Sequence, residues 1–327
     1  RTVGNEAGNG DGNFNYYASN GVNYLFVTGR EYDRNFFRKF NNRQYPGITA
    51  EQDDAPLPIP DWGEGGNNGN SYAGGVSDSI YGACGMLLDR RGLQAHKAWF
   101  YFDKEYICLG AGIRNPEGKA DVFTTLNQCN RDGEVLYGRK GKVSTLTGET
   151  ARVQADWVIH GQTGYFNLQR GAQYVIACDT ALFSLNVNHG TRPRNGQYAY
   201  AVVPGLSDAS AAARYAKQLP VKILANSETV QAVFHQTLGI TEALFYQPGE
   251  LKLDNGDLIR TDTPCALLWN EGKQKLSVAN PHCESANPAS IRITLVRNGH
   301  PVEVSFDMPQ QESAGRSVAK FVSLPQN

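Results

Sequence analysis

An excess of either charge is missing. The chain has 31 Lys+Arg against 32 Asp+Glu, a net charge of -1, with charged residues at 19%, which excludes the basic surface a nucleic-acid binder needs. No apolar run approaches the ~20 residues of a membrane span, so no membrane partner is expected. The only methionines are Met86 and Met308, and the opening Arg1-Thr2-Val3-Gly4-Asn5-Glu6 has neither a basic n-region nor an apolar h-region. The sequence therefore reads as an excised or processed piece, with any export signal upstream. Its six cysteines (Cys84, Cys108, Cys129, Cys178, Cys265, Cys283) include no C-x-x-C pair, which removes zinc-ribbon and thioredoxin-like readings. A chain of 327 residues needs no disulfide framework to fold. Free buried thiols are expected, and Cys265 with Cys283 is the pair that sequence proximity offers for a bridge. Self-contained catalytic motifs are missing too: there is no G-x-S-x-G, H-E-x-x-H or P-loop, and Gly110-Ala111-Gly112 runs into Ile113-Arg114-Asn115 rather than a dinucleotide-binding helix. His96, His160, His189, His235, His282 and His300 lack metal spacing, so structural or surface roles are expected of them.

Turn formers are abundant: 35 Gly, 15 Pro and 26 Asn. They separate short apolar runs, while 40% hydrophobic and 10% aromatic residues can fill a sizeable core. Residues 22–28 read as a strand ending at Gly29, and 98–102 with 105–109 as an aromatic, branched hairpin buried on both arms. Further strands are expected at 143–147, 156–160, 174–178, 197–203, 230–235, 243–246, 266–269, 275–279, 291–296 and 302–306. One helix stands out, from Asp208 to Lys217, with Ser207 as its N-cap and Pro220 beyond its end. So many strands with so little helix predict an all-β chain: a large antiparallel multi-sheet sandwich over 1–225, followed by a smaller C-terminal β-sandwich over 226–327.

Two long loops, 5–15 and 53–75, are rich in Gly, Asn and acids, and loops of that length are usually functional or disordered. Trp62 among glycines and amides offers a stacking platform for a sugar ring. Asp53 and Asp54, with Asn41 and Asn42 upstream, are hard oxygen donors of the kind calcium takes. A structural Ca²⁺ is thus left open, though no metal ligand is assigned and no other cofactor is called for. Arg30, Arg34, Arg38, Lys39 and Arg43 form a basic stretch whose simplest account is a solvated edge.

Several runs, in shared order, resemble polysaccharide lyase family eight, the chondroitin AC, hyaluronate and xanthan lyases, and most closely the chondroitin AC type. They are Pro46-Gly47-Ile48-Thr49; Tyr72-Ala73-Gly74-Gly75-Val76-Ser77-Asp78; the stretch from Lys97 to Glu105 continuing into Cys108-Leu109-Gly110-Ala111-Gly112-Ile113; and Thr124-Thr125-Leu126-Asn127-Gln128. Downstream follow Asn188-His189-Gly190, Tyr198-Ala199-Tyr200, Leu224-Ala225-Asn226, Gln231-Ala232-Val233 and Pro309-Gln310-Gln311-Glu312. The resemblance implies the β portion of a two-part enzyme, whose other part is an N-terminal α/α toroid carrying the principal catalytic Asn, His, Tyr and Arg. That partner would belong to the same precursor or to a separate chain.

The implied substrate is an acidic polysaccharide, cut by β-elimination at a 4-linked uronate, and the implied location is secreted or periplasmic. Glu6-Ala7-Gly8-Asn9, followed by Tyr17-Ala18-Ser19-Asn20-Gly21, is similar to a family Glu-x-x-Asn. It implies a supporting catalytic role for Glu6, polarising the toroid's Tyr and Arg, and a substrate hydrogen bond for Asn9. Trp62 matches a family Trp on the cleft wall. The family's acidic cation-site positions fall here on Asn41, Asn42 or Arg43, which weakens the calcium reading. Two rivals stand beside this one: a noncatalytic carbohydrate-binding β-sandwich using Trp62, and a glycosidase-like sandwich with its own pair of carboxylates.

Overall fold

The computed structural model describes residues 16–57, 71–169, 171–282 and 288–324. Their strands pair into four antiparallel sheets, stacked in sequence. The first sheet runs Thr49–Glu51, Asp121–Asn130, Leu182–Thr191, Tyr174–Cys178, Thr150–Val153. The second, with nine strands, runs Ala73–Ser77, Gly82–Arg90, Leu93–Tyr101, Tyr106–Arg114, Gly196–Pro204, Thr163–Asn167, Trp157–His160, Val135–Arg139, Lys142–Thr145. The third runs Val221–Asn226, Val230–His235, Ile240–Phe245, Cys265–Asn270, Lys275–Ala279, Val318–Phe321. The fourth runs Gly249–Lys252, Leu258–Thr261, Ser290–Arg297, His300–Asp307. This is the all-β, multi-sheet sandwich with a smaller C-terminal sandwich that the strand spacing predicts.

Stacking four sheets buries the second and third on both faces, and the sequence reflects it. Along Leu93–Tyr101, Trp99 points into the core shared with the first sheet, while Ala98 and Phe100 point into the core shared with the third. Tyr198, Tyr200 and Val202 alternate in the same way with Ala199, Ala201 and Val203. Such strands read as continuous apolar runs because neither face meets water. A third core, built on Phe245, Leu267, Trp269, Ile293 and Phe306, lies between the third and fourth sheets. Side chains bolt the second sheet to the third. Asn226 Nδ2 donates to the carbonyls of Gly110 (3.2 Å) and Tyr198 (3.1 Å), and Tyr246 Oη donates to Lys97 O at 3.4 Å. His235 Nε2 meets Glu105 Oε1 at 2.9 Å with both side chains buried.

Two expectations change. Residues 22–28 form no strand: Asn23 N–H donates to Pro46 O, and the Glu31 carboxylate takes the N–H groups of Val27 and Thr28, so this backbone is paired outside any ladder. The helix Ala209–Lys217 is capped by Asp208, whose carboxylate accepts from Ala211 N at 2.7 Å, not by Ser207. The 225/226 division falls within strand Val221–Asn226, which pairs in the third sheet. The expected free thiols are found among the described cysteines, Cys84, Cys108, Cys129, Cys178 and Cys265; Cys283 lies outside the described residues.

Candidate functional site

The segment 16–57 packs Tyr32, Phe36, Phe40, Tyr45 and Ile48 into the first core, and its anchoring begins with a buried lysine. Lys97 sits on Leu93–Tyr101 with no solvent exposure. Its ammonium donates to the carbonyls of Asn20 (2.7 Å) and Gly47 (2.5 Å), 5.7 Å from the Trp99 ring centroid. Burial pushes its pKa down to about 7, against a small opposing effect from Cys108. Gly21 closes the Ala18–Asn20 turn at φ +95°, and a Cβ there would sit 2.8 Å from the Trp99 ring, so both backbone and space call for glycine. Asn20 Nδ2 donates to Thr49 O at 3.0 Å, Thr49 Oγ1 meets Thr124 Oγ1 at 2.8 Å, and Thr124 Oγ1 meets His189 Nε2 at 2.9 Å. Burial, with the Lys97 charge nearby, lowers the His189 pKa to about 4. The runs shared with the lyases thus converge on one network that fixes the turn at residues 17–21.

Beyond that turn is a pocket of about 190 Å³ lined by Tyr16, Tyr17, Arg43, Asp53, Arg90 and Arg91 among others. Arg90 and Arg91 reach it from a tight hairpin in which Arg91 (φ +50°) and Gly92 (φ +85°) are both left-handed, a two-residue geometry that suits the twist of the flanking strands. The Arg90 guanidinium lies 3.8 Å from the Tyr16 ring centroid and donates to Tyr16 O and, at 3.3 Å, to Asn20 Oδ1. Burial lowers its pKa, yet arginine stays charged at any physiological pH. Arg91 lies 5.4 Å from the Tyr16 centroid and Arg43 lies 5.8 Å from that of Tyr17. Contacts of this kind are worth roughly 0.5–2 kcal/mol each, depending on exposure. The result is a preorganised set of guanidinium groups on two phenol rings, chemistry suited to a carboxylate or sulfate.

Two of the oxygen donors considered for calcium are already engaged. Arg43 Nη2 occupies Asp53 Oδ1 at 2.5 Å, and Asn41 Oδ1 accepts from Arg43 N. Glu51, also lining the pocket, accepts from Ala120 N at 2.7 Å and Asn115 Nδ2 at 3.0 Å. Among the described residues no group of three His, Cys, Asp or Glu is placed to hold a metal. A second pocket, about 300 Å³, has mixed charge and contains His160 and Cys129. There Cys129 Sγ is 3.6 Å from His160 Nδ1, while His160 Nε2 accepts from Asp132 N. Burial pushes the thiol up and the imidazole down to about 4, so the pair is neutral and structural.

Glu6, Asn9 and Trp62 all lie outside the described residues. The structure does place the flanks of the two segments that carry them: Tyr16 follows the first, Pro56 precedes the second, and both line the arginine pocket. Sequence reasoning passed over Arg90, Arg91 and Lys97. The available signals were the Arg-Gly pair between two strands, and a lone lysine inside Ala95-His96-Lys97-Ala98-Trp99-Phe100.

Residues 1–215 match the super-sandwich domain of polysaccharide lyase family 8, and residues 222–288 match the family's C-terminal β-sandwich domain. The chain belongs to polysaccharide lyase family 8. It is 38% identical to chondroitinase-AC of Pedobacter heparinus over 340 aligned positions, covering 97% of this chain and 47% of the relative. It is 26% identical to a hyaluronate lyase of Thermasporomyces composti, covering 91% and 40%. A solved structure of chondroitinase AC lyase with oligosaccharides superposes with a TM-score of 0.85 at 34% identity, covering 96% of this chain and 49% of that one. The chain spans about half the length, or less, of these relatives.

Proposed function

We propose that this chain is the β wall of a glycosaminoglycan lyase that cleaves uronate-containing polysaccharide of the chondroitin or hyaluronan type by β-elimination. The opposite, reactive wall would come from an α/α toroid of the same precursor or of a separate chain. The observation that carries this reading is the shared rim: the segments bearing Glu6 and Asn9, and Trp62, both join the described body beside one arginine pocket. The similarity to chondroitinase-AC across 97% of the chain supports the same substrate class.

In the reaction a base removes the proton on C5 of the uronate. The C5–H electron pair becomes the C4=C5 double bond, the C4–O4 bond breaks, and an acid returns a proton to O4. The C5 proton becomes acidic enough only when the adjacent carboxylate is neutralised, a charge-placement task for preorganised donors. Arg90 and Arg91 would hold anionic groups of the chain near the rim, Asn9 would hydrogen-bond a sugar, and Trp62 would stack on one. Glu6 would orient the tyrosine and arginine of the helical half through charge-assisted hydrogen bonds. Base and acid are assigned to that half by the family resemblance, and His160 and His189 of this chain are committed to internal contacts. A polymer too large to cross a membrane would be met outside the cytoplasm, so the proposed location is secreted or periplasmic. Among the described residues no helix is long and apolar enough to cross a membrane.

The test is to incubate the chain with chondroitin and with hyaluronan, alone and together with the helical half of a family lyase, and follow the ultraviolet absorbance of the unsaturated uronate. Product is expected only with both halves present. Sugar binding that needs Trp62 but never yields product would favour a noncatalytic carbohydrate-binding module.

A further inference from the structure

We infer that the face formed by Tyr24, Phe26 and Phe37, bordered by Arg30, Arg34, Arg38 and Lys39, is a second contact surface for acidic polysaccharide, separate from the pocket around Arg90. The polymer class rests on the function proposed above. Few large apolar side chains of the described residues are exposed, and three share this face: Phe26 at 59%, Phe37 at 42% and Tyr24 at 38%. Their centroids lie 6.4 Å apart from Tyr24 to each phenylalanine. Behind them Tyr32, with centroids 4.7 Å from Tyr24 and 5.1 Å from Phe26, ties the group to the buried Phe36 and Phe40. The rings are therefore held in place before any partner arrives, which lowers the entropy lost on contact.

Charge chooses the partner. Arg30, Arg34, Arg38 and Lys39 are all exposed, and none forms an ion pair with a carboxylate among the described residues. The two acids of the stretch are turned to backbone and amide donors. Glu31 Oε1 accepts from Val27 N and Thr28 N, and Asp33 Oδ1 accepts from Phe36 N and Asn130 Nδ2. An apolar protein surface closing here would bury cations without partners, which is costly. A glycosaminoglycan presents apolar sugar faces to the rings and carboxylate or sulfate to the cations in repeating order, satisfying both. Arg43, on the same segment, lines the pocket around Arg90.

The test is binding of the full chain to immobilised chondroitin sulfate, with neutral dextran as control and melting temperature reporting the fold. Phe26→Ser/Phe37→Ser and Arg34→Gln/Arg38→Gln/Lys39→Gln are each expected to weaken binding about tenfold, the charge variant also flattening its salt dependence. Arg90→Gln/Arg91→Gln, run in parallel, reports the pocket. If the face variants bind like the parent while the pocket variant does not, the inference is overturned. The same holds if the face variants keep polymer binding but no longer associate with a helical lyase half, because the face then docks protein. A parent that binds no acidic polymer removes the substrate reading itself, a different result from the first two.

Discussion

Replacing Lys97 by methionine should change how stability depends on pH more than it changes stability at any one pH. Lys97 is fully buried, with the Cys108 thiol, the neutral His189 and the Trp99 ring around it. Its pKa is lowered from 10.5 to about 7. Because the folded value is the lower one, the unfolded chain binds more protons between those limits, so Lys97 makes stability rise with pH across that window. Below about pH 7 the folded state carries the whole cost of charging the buried amine. A shift from 10.5 to about 7 corresponds to on the order of 5 kcal/mol, a ceiling because the carbonyls of Asn20 and Gly47 favour the ammonium form. Methionine removes that cost but leaves both carbonyls without a donor, at ~1–3 kcal/mol each. The two effects nearly cancel at pH 6. At pH 10 the neutral amine of the parent still donates to both carbonyls and less than ~1 kcal/mol of the cost remains, so the variant should be less stable by ~1–5 kcal/mol. Urea titrations of both proteins from pH 6 to 10 give the comparison, and taking their difference removes other titrating groups. Curves that stay parallel through this range would refute the reasoning.

Glu242 lies fully buried between the second and third sheets, and burial, with the charge of Asp78 adding, raises its pKa well above the carboxylate range. A raised acid favours the fold below its unfolded pKa and loses that contribution as pH climbs, so Glu242→Gln should raise the melting temperature at pH 8 relative to pH 4.5 and flatten the profile between. His235 Nδ1 accepts from Leu238 N, which leaves Nε2–H to donate to Glu105. Glu105→Ala leaves that buried donor unmet, and Glu105→Ala or His235→Ala should each cost ~2–4 kcal/mol in chemical denaturation. Gly21→Ala, pressed against Trp99 at a left-handed φ, should cost more than ~1 kcal/mol and loosen the turn at residues 17–21, seen as faster amide exchange there.

The stacked-sheet fold is legible because its central strands announce themselves: residues 98–102 and 106–109 are apolar on consecutive positions, as burial on both faces requires. Strands such as Gly82–Arg90 and Asp121–Asn130 are hidden, since Gly82 and Gly85 lack side chains to show a period and Thr124, Thr125, Asn127 and Gln128 are polar yet buried. Those four hydrogen-bond within the core and to the 16–57 segment, partners that exist only after folding. The same holds for the site. Arg90 and Arg91 are 74 and 75 residues beyond Tyr16, and nothing local connects them. Arg43 reads in sequence as one more member of a basic stretch, whereas its pairing with Asp53 both sets it apart from its neighbours and engages one of the oxygens considered for calcium. Glu6, Asn9 and Trp62 come from resemblance, and their flanks at the pocket rim are what the fold adds.

The most direct measurement is the initial rate of unsaturated-uronate formation from chondroitin by this chain joined to a helical lyase half, with and without Glu6→Gln. The account predicts no product from the chain by itself, turnover from the joined protein, and a large fall in kcat with little change in KM for the variant. Product from the unaccompanied chain, or an unchanged kcat for Glu6→Gln, would contradict it.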